Sequence, residues 1–471
     1  SLIPIINPRG SDVTEKSKKL FVPQSQETEN VTNNLNPIGV LMVSGIRFSR
    51  YKIAFQKRKA FALPSVAQCS ALLNETALLE SLRAEKFDVF IAENFEMCGV
   101  AYSHLLNAKS LITVAAAYPF SYMFEEFGIP LALSNNPSAF ISHLDVHSMW
   151  SRLKNIYANW LMHALMYPRR SLVSFSFSQE RGSESRLVQQ ISSHSAYTLV
   201  NAEPLIDFAT PTLNRVVSVG GIGAKIPKAL DEKWNNILSI RPKNILISFG
   251  SNVKAANLPE NIKNSIATVI GRFPDITFIW KYEELNDLFA NETTSAHPNL
   301  VLTAWMPQND LLNDDRVSVF VTHGGMGSTL EMALRGKPGV FVPLFGDQPR
   351  NAGMMEFNGL GKVLDKFDLH DSDKVEVVIR EVLTNENYAE NARKVSAKLS
   401  KKPFGARALL IKTVEFAAEF GPSKALRPQS YDMNTIEYHN IDIALLAIFV
   451  LFSLVFAVKR LAMWILSKYG V

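Results

Sequence analysis

From about residue 244 onward, apolar runs of four to seven residues alternate with amphipathic stretches in a regular rhythm. The runs Asn244–Gly250, Ile276–Trp280, Leu300–Ala304, Val317–Thr322, Gly339–Pro343 and Gly361–Leu364 read as strands. Helices are predicted to open at Pro259, Gln308, about Met326 and about Pro349. The runs are apolar at consecutive rather than alternate positions, the pattern of strands buried on both faces. Strands of that kind separated by helices predict a parallel sheet covered on each side. In such sheets ligands bind beyond the carboxyl ends of the strands.

The first half is less regular. Phe87–Ala92 and Ser110–Ala115 read as buried strands, with a loop and helix between them over Glu93–Asn107. Residues 118–200 are rich in aromatics, with helical periodicity around Trp150–Met166, which suits an apolar ligand lining or ordinary core helices equally. Gly220-Gly221-Ile222-Gly223 and the polar stretch to Pro242 mark a boundary. The chain opens on Ser1–Pro8, which reads as the tail of a buried strand without an initiator Met or a signal sequence, so its true start is expected to be missing.

The far end is apolar. Ile443–Val458 carries Ser453 as its single polar residue and is followed by Lys459, Arg460 and a second apolar run. With its flanking turns it is long enough to cross a bilayer core of about 30 Å. Cations on its far side place the short tail in the cytosol and the body across the membrane. Asn30, Asn74 and Asn291 head glycosylation sequons compatible with that orientation. The division is residues 1–220, 221–425, a linker at 426–440, an anchor at 441–466 and a tail at 467–471.

Charge and cysteine content exclude rather than assign. Basic and acidic side chains number 49 and 44, a net charge of +5, and no Lys/Arg run is interleaved with aromatics, so nucleic acid is not an expected partner. Cys69 and Cys98 allow one disulfide but no disulfide framework, and no Cys/His spacing suggests zinc.

The chemistry-bearing residues gather after the predicted strands. One run ends in Phe249-Gly250-Ser251, another in Trp305-Met306-Pro307-Gln308. A third ends in His323-Gly324-Gly325-Met326-Gly327-Ser328-Thr329, opening a helix that carries Glu331, and a fourth in Phe345-Gly346-Asp347-Gln348. Glycines at a helix N-terminus bring backbone N–H groups and the positive end of the dipole to an anion. His323 can donate to the same anion, Trp305 offers a flat face to a base, and Gln308 and Glu331 suit ribose hydroxyls. Asp347 and Gln348 suit sugar hydroxyls. One such turn alone is ordinary turn chemistry; four on consecutive parallel strands describe a nucleotide-sugar site.

The run Trp305–Gln348 resembles the signature of family 1 UDP-glycosyltransferases of the animal branch. The likeness continues through Pro349-Arg350-Asn351-Ala352 and returns at Leu426-Arg427-Pro428 and Glu437-Tyr438-His439-Asn440. It implies a GT-B fold of two Rossmann-like domains facing a cleft, plus the C-terminal membrane helix. It further implies that Trp305 stacks on uracil, Gln308 and Glu331 bind the nucleoside, and Ser251, His323, Gly325, Gly327 and Ser328 hold the diphosphate. Asp347 and Gln348 would hold the sugar. Gly327 departs from the pattern, where animal members often have Asn.

The resemblance also implies inverting, metal-independent transfer to a small lipophilic hydroxyl compound, with no cofactor beyond the UDP-sugar co-substrate. Glu93 aligns with the acid that orients a His base. The family places that His before the strand ending at Pro4, whereas the first His here is His104. The chain as written is therefore expected to bind UDP-sugar better than it turns it over. The alternative is a non-catalytic UDP-sugar-binding or regulatory subunit. Thr210 stands where glucuronate-using members usually carry Arg, which favours UDP-glucose over UDP-glucuronate. Asp371-Ser372-Asp373 matches the metal-binding D-x-D pattern but reads as helix capping. The implied location is the endoplasmic reticulum membrane, single-pass type I, with membrane lipid and homo- or hetero-oligomers of family members as partners.

Overall fold

The computed structural model describes residues 2–4, 20–22, 66–95, 97–181, 191–251 and 253–469. The Asn30 sequon lies outside them. Residues Lys424–Val471 form a unit separate from the preceding chain.

In the larger unit, β1 (Leu2–Pro4) pairs in parallel with β2 (Leu20–Val22). Strands β3 (Val89–Glu93), β4 (Ser110–Ala115), β5 (Tyr197–Val200) and β6 (Val216–Ser218) form a parallel sheet in that spatial order. The second sheet contains β7 (Lys243–Ser248), β8 (Ile276–Lys281), β9 (Leu300–Thr303), β10 (Val317–Thr322), β11 (Gly339–Phe341) and β12 (Gly361–Val363). Its order is β12-β11-β10-β7-β8-β9, all parallel. Counted from β7, this is the doubly wound order 3-2-1-4-5-6, whose direction reverses between β7 and β10.

Consecutive apolar residues build this sheet because each face has its own cover. Ile245, Ile247, Phe278, Trp280, Val319 and Val321 share one core with the helices Glu260–Gly271 and Ser372–Thr384. Their neighbours Leu246, Ile279, Phe320 and Phe341 point the other way. They pack with residues of the helices Met326–Arg335, Gln348–Phe357 and Glu386–Ser400.

Several elements extend the sequence reading. Strands β5 and β6 and the helix Glu232–Leu238 were not anticipated. The helical periodicity at Trp150–Met166 belongs to a helix spanning Met149–Arg181. Tyr122, Phe124 and Phe127, with Met162 and Met166, lie in the buried core of the first half, whereas Trp150 and Trp160 are exposed. Cys69 and Cys98 form a disulfide. The helix Ala406–Phe420 contacts β3, β4 and β5, so the chain returns to the first sheet after completing the second. Asp371 accepts from the backbone N–H groups of Asp373 and Lys374 as an N-cap, and Asp373 pairs with Arg272 at 2.7 Å. Asn74 and Asn291 are exposed.

In the terminal unit, the helix Ile441–Tyr469 runs three residues beyond the expected end of the anchor at 466. Its Ile441–Lys468 portion is long and apolar enough to cross a membrane, and none of its most apolar stretch is buried within the protein.

Candidate active site

The reversal between β7 and β10 places two glycine loops side by side, with Ser248 opposite Thr322 in register. A cleft of about 520 Å³ opens there, and Ser251, Trp305, Gln308, His323, Gly325, Gly327, Ser328 and Glu331 all line it. These are the eight residues that the sequence assigns to the nucleotide diphosphate.

His323 sits between the loops. A Cβ at Gly250 would lie 2.7 Å from its Cε1, and one at Gly325 would lie 2.5 Å from its Nε2. Gly250 also has φ +87°, a conformation that side-chain-bearing residues rarely adopt. Gly250→Ala is therefore expected to displace the imidazole and weaken UDP binding about tenfold or more. Titration calorimetry of the variant checks this, and unaltered affinity would contradict it. By contrast, a Cβ at Gly327 meets nothing within 4 Å among the described residues, so the missing side chain leaves open cleft there.

Burial, and then the charge of Lys281, hold the His323 pKa down to about 4, against a backbone contact at Ser248 that raises it. The ring is thus neutral at neutral pH and can donate one N–H. The same loop leads into the helix Met326–Arg335, whose first-turn N–H groups lack partners within the helix. A neutral donor and a helix N-terminus together suit a diphosphate.

Lys281 was missed by a sequence reading that ended its strand at Trp280. It closes β8 and donates to the Gly250 carbonyl at 2.7 Å and to Glu283 at 3.2 Å. Its ammonium lies 5.6 Å from the Trp305 ring centroid. A cation at the carboxyl end of a parallel strand was the available signal. Lys225, Ile226 and Lys228, from the segment between the two sheets, line the cleft as well.

Gln308 and Glu331 meet before any ligand arrives. The Gln308 amide donates to Glu331 at 2.7 Å and to the Ser328 hydroxyl at 3.2 Å. Burial raises the Glu331 pKa, opposed by Gln308 and Arg335.

The two sugar candidates stand apart from this cleft lining. Asp347 precedes the helix Gln348–Phe357 without a side-chain capping bond, and its carboxylate accepts from Asn351 at 2.6 Å. Burial pushes its pKa up, with Asn351 the largest opposing influence. Gln348 is 3% exposed. Its Oε1 accepts from the N–H groups of Leu344 and Phe345 at 2.9 and 3.0 Å. Its side-chain oxygen thus shapes the turn that leads into this helix.

Glu93 ends β3 opposite Val114 on β4. The next residue, Asn94, is buried, and its amide donates to the Glu126 carboxylate.

Arg350 joins the second sheet's helix to the first half. It is 2% exposed and pairs with Asp207 at 2.7 Å. Its guanidinium carbon lies 3.4 Å from the Tyr118 ring centroid, and its Nη2 donates to Asn136 at 3.3 Å. The Tyr118 and Thr210 hydroxyls hydrogen-bond at 2.9 Å.

Comparisons with known proteins agree with this architecture. The family described as UDP-glucoronosyl and UDP-glucosyl transferase matches residues 9–469. The putative UDP-glucuronosyltransferase ugt-48 of Caenorhabditis elegans is 30% identical over 383 residues, covering 80% of this chain and 72% of its own. UDP-glucuronosyltransferase 1A1 of Rattus norvegicus is 26% identical over 443 residues, covering 93% and 80%. Among solved structures, Os79 from O. sativa in complex with U2F and trichothecene aligns with a TM-score of 0.56 at 16% identity, covering 89% and 92%. The calicheamicin glycosyltransferase CalG4 aligns at 0.51 and 14%, covering 86% and 87%. These structural likenesses support the GT-B fold, and the family match supports sugar transfer from a UDP-sugar. The chain belongs to the UDP-glucoronosyl and UDP-glucosyl transferase family: it is a family 1 UDP-glycosyltransferase.

Proposed function

We propose that the protein transfers a hexose from UDP-sugar to a hydroxyl of a small lipophilic acceptor, with inversion and without a metal. The observation that carries this reading is the convergence of eight residues from separate loops on one cleft at the sheet's reversal point. On this reading Trp305 stacks on the base, Gln308 and Glu331 bind ribose, and Ser251, His323, Gly325, Gly327 and Ser328 hold the diphosphate. Asp347 offers its carboxylate to the sugar, on a turn fixed by Gln348. Glu93 holds the position of the acid that orients a His base; that imidazole, which the resemblance places before the strand ending at Pro4 and ahead of His104, would take the acceptor's proton as the acceptor oxygen attacks the anomeric carbon. The leaving UDP's charge is met by the His323 N–H and the helix N-terminus.

Glucose is the proposed sugar. The Thr210 hydroxyl is engaged by Tyr118, and the neighbouring cation, Arg350, is paired with Asp207. A glucuronate carboxylate would meet a neutralised pair. A donor screen is expected to give kcat/KM at least about tenfold higher for UDP-glucose than for UDP-glucuronate. A preference for glucuronate would overturn the assignment. We further propose that Ile441–Lys468 anchors the protein in the endoplasmic reticulum membrane, with the body luminal and the last residues cytosolic.

A further inference from the structure

The segment between the two sheets contributes an unusual side chain to the cleft. Ile226 is 89% exposed, and Trp305 on the same cleft is 73% exposed. A large aliphatic and a large aromatic side chain left in water within one concave site form the kind of surface that a bound ligand covers.

The backbone around Ile226 is held in place. The Lys225 carbonyl accepts from Arg335 at 2.7 Å and from Asn309 at 3.0 Å. The Lys228 N–H donates to the Asp310 carboxylate at 3.0 Å. Pro227 follows directly and confines Ile226 to extended backbone. These anchors belong to the donor site's own elements. Asn309 and Asp310 follow Gln308, and Arg335 lies one turn beyond Glu331 on the same helix. An exposed aliphatic residue on a strap tied at both ends presents apolar surface at little entropic cost on binding.

We propose that Ile226 is a donor-binding residue that shares with Trp305 the apolar contact surface for the nucleobase. The Lys225–Lys228 strap thereby becomes part of the nucleotide site. This inference rests on the donor-site reading above.

The test is titration calorimetry of the full chain with UDP and with uridine, comparing wild type, Ile226→Ala, Ile226→Asp and Trp305→Ala. Ile226→Ala is expected to weaken both ligands about tenfold, and Ile226→Asp more, because part of an aliphatic burial is lost. The thermal midpoint should not change, since the residue is exposed, and the acceptor KM should stay at its wild-type value. If Trp305→Ala weakens UDP while both Ile226 variants bind normally, the inference fails and the donor site stands. If neither position affects UDP or uridine, the donor-site reading itself fails. If Ile226→Ala weakens UDP but leaves uridine unchanged, the contact is not with the base and the proposal is wrong.

Discussion

His323→Ala is expected to lower kcat/KM for the UDP-sugar by about 10² to 10³, the usual cost of removing one preorganised donor to developing charge. The ring lies between Gly250 and Gly325, so truncation leaves a gap that neither glycine can fill. It is neutral before binding, and a diphosphate beside it would favour the charged form and raise its pKa from about 4. UDP binding between about pH 4 and 6.5 should therefore take up a proton, and affinity should rise as pH falls through that window. Calorimetry in buffers of different ionisation enthalpy measures that uptake. In His323→Ala only the ligand's own ionisation should remain. Without ligand the sign reverses. The unfolded chain protonates His323 near pH 6.5 and the folded chain only near 4, so this group's support of the fold is complete above 6.5 and is lost as pH falls towards 4. Unchanged turnover in the variant would contradict its place in the donor site.

The sequence made the second sheet legible because burial on both faces requires consecutive apolar residues, as at Ile245-Leu246-Ile247 and Val319-Phe320-Val321. The eight cleft residues were legible because they follow those strands directly. Where placement depends on partners distant in sequence, pattern says less. Strand β6 is three residues long and too short to show a period. Nothing in the local pattern of Ala406–Phe420 shows that this helix turns back to β3, β4 and β5. Gln348 has donors and acceptors suited to a sugar, and only the folded turn shows its carbonyl spent on Leu344 and Phe345. Lys281 lay one residue beyond the expected strand end, and Ile226 in a segment read as boundary.

Arg350→Ala is expected to destabilise the fold by about 3 to 5 kcal/mol, because it leaves the Asp207 carboxylate buried without its countercharge. The two side chains are 2% and 5% exposed, so solvent screens the pair little. Asp207→Ala should cost a similar amount, stranding a guanidinium whose Nε and Nη1 already lack partners among the described residues. The double variant should recover part of the loss, since no charge is then left alone, and that coupling distinguishes the pair from two independent packing contacts. Chemical unfolding of the three variants gives the cycle. Single costs below about 1 kcal/mol, or simple additivity, would show the pair to be dispensable. Function should respond unequally. The proposed UDP contacts lie on loops of the second sheet, whereas Arg350 ties the helix that follows Asp347 to Tyr118, Asn136 and Asp207 in the first half. Under folding conditions the Arg350 variant should therefore keep near-normal UDP affinity while kcat falls, because loosening that tie disturbs the sugar's alignment with the acceptor more than the nucleotide's grip.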